Sequence, residues 1–183
     1  MHTISKALAL AFAALFSLTA QAHSGHGTAH GQAHGHGHDH GSGQHSAAPS
    51  FPDPATAGAP EGVTVGDCWI RALPNRLPAA GYFRLENTSG QDAVLVGAQA
   101  EGFGRVMLHT HQTTGGMSSM VHVDRVVVPA GGGFDFAPGG HHVMLEKPTI
   151  DLRVGGKRPL VLWFEGDRAL TAQCDVRPAG ATQ

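Results

Sequence analysis

The sequence predicts a single all-β domain, an antiparallel β-sandwich or barrel, preceded by a segment that cannot fold by itself. Three observations predict it. Apolar, β-branched and aromatic residues recur in short runs from Val63 onward, separated by Gly, Pro, Asn and Ser. No stretch after residue 62 sustains a 3.6-residue apolar period, so helices are not expected. Residues 23–62 are almost entirely His, Gly, Ser, Ala, Gln and Pro, a composition with too little apolar surface to offset the entropy of ordering.

The N-terminus comes first. Lys6 is followed by an apolar run from Ala7 to Leu18, and then by Ala20-Gln21-Ala22. This order of charge, apolar core and small residues is that of a cleaved secretory signal over residues 1–22. The core is shorter than the roughly 20 apolar residues needed to span a bilayer. Export through the Sec pathway to the periplasm or beyond is the expectation, with no membrane span after cleavage.

The next segment, residues 23–62, carries eight histidines: His23, His26, His30, His34, His36, His38, His40 and His45. Flexible His tracts chelate Cu(II), Zn(II) or Ni(II) without a preformed geometry. A solvated linker is the plainer alternative. Cleavage after Ala22 would leave His23 as an amine-plus-imidazole chelate at the new N-terminus.

The domain is expected over residues 63–178, with 179–183 as a disordered C-terminus. Val63–Arg71 alternates loosely and ends before two prolines, Pro74 and Pro78. Gly81–Glu86 is a second strand, closed by the turn cluster Asn87-Thr88-Ser89-Gly90. Further strands are read at Ala93–Ala98, Arg105–His111, Met120–Asp124, Phe134–Phe136, His141–Glu146, Leu160–Glu165 and Leu170–Val176. Strand order is not legible from such a list.

Two cysteines, Cys68 and Cys174, fall in the first and last of these runs. In an oxidising compartment an even pair defaults to a disulfide. In the chain-entropy view, closing so long a loop contributes on the order of 4 kcal/mol. A thiolate metal ligand is the alternative, but neither Cys has a His or a second Cys at ligand spacing. A net charge of −2 without a Lys/Arg run gives no basis for binding nucleic acid or an anionic membrane.

Chemistry concentrates in two runs. In His141-His142-Val143-Met144-Leu145-Glu146, alternation sets Val143 and Leu145 on one face and His142 and Met144 on the other. With the first pair in the core, an imidazole and a thioether stand together outside it. Val106 and Leu108 likewise leave His109 and His111 on the outer face. Between the two runs lie a Gly-rich turn and Met117, Met120 and His122. Thioether sulfur is a soft, uncharged donor that suits Cu(I) and is poor for Zn(II), Mg(II) or Ca(II). Any one of these residues alone is better read as a gap-filling Met or a surface His; spacing moves the set toward a site without settling it.

His109, Met120, His142 and Met144 form the pattern H-x10-M-x21-H-x-M. This resembles the motif of the periplasmic PCu(A)C copper chaperone family. Trp69-Ile-Arg-Ala72, Gly81-Tyr-Phe83, Glu86-Asn-Thr88, Leu108-His-Thr-His111, Val128-Pro-Ala-Gly-Gly132 and Pro138–Leu145 resemble that family's landmarks in order. The resemblance implies a cupredoxin-like, Greek-key β-sandwich that binds Cu(I) through those four residues. It also implies delivery of copper to a subunit of cytochrome c oxidase, either alone or with a second periplasmic copper chaperone. Glu146 and Lys147 depart from the pattern, and His111, Met117 and His122 are candidate auxiliary ligands. Such nitrogen-rich surroundings also suit Cu(II).

Two other classes compete with this reading. A copper-buffering or resistance protein would rely on the tail. A copper enzyme would need an open coordination position, which a two-His, two-Met set does not leave, and no catalytic constellation of another class stands out. A blue-copper electron carrier needs a Cys thiolate beside its His ligands, and Cys174 has none nearby.

Overall fold

The computed structural model describes residues 50–74 and 76–183. The expected signal, the tail histidines from His23 to His45, and Asn75 lie outside the described residues. Among the described residues ten strands follow one another: β1 Val63–Arg71, β2 Ala79–Asn87, β3 Ala93–Gln99, β4 Phe103–Thr114, β5 Met117–His122, β6 Val126–Val128, β7 Gly133–Phe136, β8 His142–Pro148, β9 Lys157–Phe164 and β10 Arg168–Arg177. Among the described residues there is no helix long and apolar enough to cross a membrane.

The strands join in the order β5-β4-β8-β2-β1-β10-β9-β3-β6, with β7 continuing beside β2 where β8 leaves it. The fold is an all-β, cupredoxin-like sandwich in which this hydrogen-bonded path curls over a shared core. Every pairing between these strands is antiparallel except β1 with β10, which is parallel and joins the two ends of the domain. Alternation decides what the core contains. Ile70, Leu85, Leu95, Leu108, Val143, Leu145, Leu160 and Leu162 point inward and are buried.

β1 carries a bulge between Gly66 and Trp69, with Asp67 at φ 51°. The extra residue shifts the alternation, so that Val63 and Cys68 both face the core while Trp69 and Arg71 face out. Cys68 meets Cys174 of β10 there in a disulfide, their Cα atoms 4.4 Å apart. The expected bridge is present and staples the parallel pair.

Three features differ from the sequence reading. The three-residue strand β6 has too few residues to display an alternation, and the reading has no strand there. Residues 51–60, expected to be disordered linker, pack on the domain. The Phe51 ring stacks on Trp163 with centroids 5.2 Å apart, and Ala169 donates its N–H to the Gly58 carbonyl. Gly97 makes this possible, because a Cβ there would lie 2.3 Å from the Phe51 ring. Within the C-terminal segment expected to be disordered, the Ala181 carbonyl accepts a hydrogen bond from Arg71 Nη2 at 2.7 Å.

Candidate metal site

The β4–β5 hairpin turns on Gly115 and Gly116, at φ 60° and 81°. Two consecutive positive φ values make the tight two-residue turn whose twist matches an antiparallel hairpin, and Gly adopts them without strain. That turn fixes the register: Thr114 opposite Met117, His111 opposite Met120, and His109 opposite His122. On the other edge of β4, His109 lies opposite His142 and Met107 opposite Met144. Three adjacent strands therefore present a row of imidazoles, His122–His109–His142, flanked by Met120 and His111 on one side and Met107 and Met144 on the other.

The side chains converge. The His109 ring centroid lies 5.9 Å from that of His142 and 5.8 Å from that of His122, and His111 is 5.2 Å from His142. His142 Nε2 lies 3.3 Å from the Met120 sulfur. His142 Nδ1 lies 3.1 Å from the Gly140 carbonyl. A carbonyl only accepts, so this contact assigns the proton to Nδ1 and leaves a lone pair on Nε2. A thioether sulfur is also only an acceptor. Two lone-pair donors thus face each other at contact distance, with no proton between them. Such a pair is satisfied by a shared cation.

Burial reinforces this. His142 is only 3% exposed, and its pKa is pushed below 6.5, chiefly by loss of hydration, partly offset by the Gly140 hydrogen bond. The His109 pKa is lowered chiefly by burial, then by its His142 and His122 neighbours. His109 Nδ1 is buried and has no hydrogen-bond partner among the described residues. Both rings are held neutral, the form that binds metal. Among the described residues, no three His, Cys, Asp or Glu side chains converge in metal-holding geometry; the convergence that exists pairs imidazole with thioether.

The sequence-selected residues divide by face. His109, Met120 and His142 come together, and Met144 sits half-buried one step along the same face of β8. His111 and His122 share this face and are more exposed; His122 Nε2 pairs with Asp124 at 3.0 Å. Met117 does not join them. Opposite Thr114, it falls on the other face of the hairpin and is 76% exposed, because three residues separate it from Met120 and an odd step reverses the face. Sequence reasoning missed Met107, a buried thioether directly across from Met144. Its place outside Val106 and Leu108 was the available signal. Cys68 and Cys174 are closed in their disulfide on the core side of β1 and β10, away from this face.

Residues 63–176 match the family described as "Putative lipoprotein LpqE-like". The chain belongs to the LpqE-like family. A "Putative lipoprotein Lxx21020" of Leifsonia xyli is 32% identical to this LpqE-like chain over 116 residues, 61% of this chain and 69% of the relative. An uncharacterized protein, RP573, of Rickettsia prowazekii is 32% identical over 88 residues, 48% of this chain and 49% of its own length. Among solved structures, apo-DR1885 from Deinococcus radiodurans is 31% identical and superposes with a TM-score of 0.54, covering 75% of this chain and 93% of that one. The Cu(I) form of DR1885 gives a TM-score of 0.53, also at 31% identity, over 68% and 83%. The copper-bound PCuAC domain from PmoF2 shares the fold at 24% identity and a TM-score of 0.54, over 64% and 93%. The solved structures that share the fold of this LpqE-like domain thus include a copper-bound PCuAC domain and a Cu(I) form of DR1885.

Proposed function

We propose that this protein is an exported copper chaperone that carries Cu(I) on the outer face of β4, β5 and β8 and hands it to a receiving protein. The observation that carries the reading is the apposition of His142 Nε2 and the Met120 sulfur, lone pair to lone pair, on a neutral, buried imidazole. His109 and Met144 complete a set of two imidazoles and two thioethers. This is an uncharged donor set for a monovalent soft ion. Copper is cargo here, so the site needs an exit as well as affinity. Met120 is 45% exposed on the free edge strand, whereas His142 is buried. The ion can leave Met120 first and be taken up by an incoming donor while His142 still holds it.

The copper centre of cytochrome c oxidase is the proposed acceptor, with a second periplasmic copper chaperone as a partner. The tail from His23 to His45 is proposed to capture Cu(II), and the signal to direct the protein to the periplasm. The protein is not proposed to be an enzyme. The test is Cu(I) titration of the mature chain under reducing conditions against a competing chelator, with and without residues 23–45. One tight Cu(I) retained after the deletion, and passed to an apo-oxidase copper domain, supports the chaperone reading. Loss of most metal capacity on deletion would favour a buffering or resistance protein.

A further inference from the structure

The outer face that carries the imidazoles and thioethers continues past β8. Across β2 and β1 it holds Tyr82, Trp69 and Arg71, and on β10 it holds Arg177. The Arg71 guanidinium carbon sits 5.0 Å from the Tyr82 ring centroid and 5.4 Å from that of Trp69. Arg177 lies over the same Trp69 ring at 5.2 Å. Tyr82 in turn is 6.3 Å from the His142 ring. Register gives a second line of sight. Arg71 pairs with Ala80, Ala80 with Met144, and Met144 with Met107. Only a methyl side chain stands in that row between the guanidinium-bearing residue and the thioether, two strand spacings or about 10 Å apart.

Arg71 is an unusual cation. Its Nε is buried without a hydrogen-bond partner, and Nη2 is held by the Ala181 carbonyl. Among the described residues it forms no ion pair, whereas Arg177 has Asp175 at 4.0 Å. The charge is therefore fixed by two aromatic rings and a backbone carbonyl, with no carboxylate among the described residues paired to it.

We infer that Arg71 is a positioning residue that sets the oxidation-state preference of the metal face, biasing it toward Cu(I) over Cu(II). A fixed positive charge repels a divalent ion twice as strongly as a monovalent one at the same place, and it does so more effectively in a partly buried setting than in water. The donor atoms already favour the soft ion; Arg71 adds an electrostatic penalty specific to the oxidised one. Trp69 and Tyr82 hold the guanidinium at its distance, and Ala80 keeps the row open. This inference rests on the copper-binding reading above.

The test compares Cu(II) and Cu(I) affinities by chelator competition in the full mature chain, with the eight tail histidines replaced by serine so that only the domain is read. Arg71→Gln is expected to raise the ratio of Cu(II) to Cu(I) affinity about tenfold, the size of one added unit of charge at about 10 Å with an effective dielectric of about 20. Arg71→Lys, which keeps the charge, is expected to leave the ratio within about twofold. Deletion of residues 179–183 removes the Ala181 contact and leaves the charge, so it should leave the ratio unchanged. A folded Arg71→Gln protein with an unaltered ratio would overturn the inference. So would an Arg71→Lys protein whose ratio rises tenfold. Failure of the parent chain to bind Cu(I) at all would instead sink the copper reading, a separate outcome.

Discussion

The β4–β8 pair and the β4–β5 hairpin share a strand, yet they are built differently. Along β8, alternate residues Val143 and Leu145 are wholly buried, and His142 beside them is nearly so. Along β5, all residues but Val121 are exposed, and the strand has one neighbour only. One half of the metal face is thus a wall fixed by the core, and the other is an arm held by a tight glycine turn. A wall gives geometry and affinity; an arm gives a way out. The proposed carrier needs both, and the asymmetry sets them on different strands.

The largest difference should appear in the stability of the metal-free protein. Leu145→Ala on the wall removes a fully buried side chain and should cost about 2–5 kcal/mol in chemical denaturation. Met120→Ala on the arm should cost less than about 0.5 kcal/mol. Equal costs would mean that the arm is as much part of the core as the wall.

Copper affinity should rank the residues similarly. His142→Ala should weaken Cu(I) binding about a hundredfold, and Met120→Ala about tenfold with faster release to a chelator in stopped-flow measurements, corresponding to about 2.7 and 1.4 kcal/mol. A larger loss at Met120 than at His142 would reverse the assignment of wall and arm.

Acidity probes the wall alone. Burial lowers the His109 and His142 pKa values below 6.5 in the fold. An unfolded chain therefore takes up protons first as pH falls. The stability these residues leave intact is fully present above pH 6.5 and is lost as pH drops through that value toward their folded pKa values. Cu(I) affinity should accordingly be flat from about pH 8 to 6.5 and fall only below that range. A decline that begins well above 6.5 would show that these imidazoles are not held neutral by burial. The smallest effect belongs to Met117→Ala, which should leave Cu(I) affinity unchanged within about twofold because the side chain lies on the opposite face.

These contrasts also show what the sequence could reveal. Period-two alternation is local, so the faces of His142, Met144, His109 and His111 were legible from their own strands. The pairing of Cys68 with Cys174 followed from compartment and count. Relations between strands were not legible. Nothing local shows that His109 stands between His122 and His142, because register across three strands is set by the Gly115-Gly116 turn and the packing of β4 on β8. The same holds for Met107, whose neighbour Met144 is far along the chain, and for the parallel β1–β10 closure. Nearness in sequence groups Met117 with Met120, and the parity of the hairpin separates them. Residues 51–60 have a linker's composition, but Phe51 finds a flat partner in Trp163 only because Gly97 is empty.

The central claim is that Cu(I) is held jointly by imidazole nitrogen and thioether sulfur on this face. X-ray absorption at the copper edge, on the mature chain loaded with one equivalent of Cu(I), tests it most directly. The account predicts mixed nitrogen and sulfur scatterers, with the sulfur contribution reduced in Met120→Ala and lost when Met144→Ala is added. A shell of nitrogen or oxygen alone, or a sulfur signal unchanged in the double variant, would contradict it.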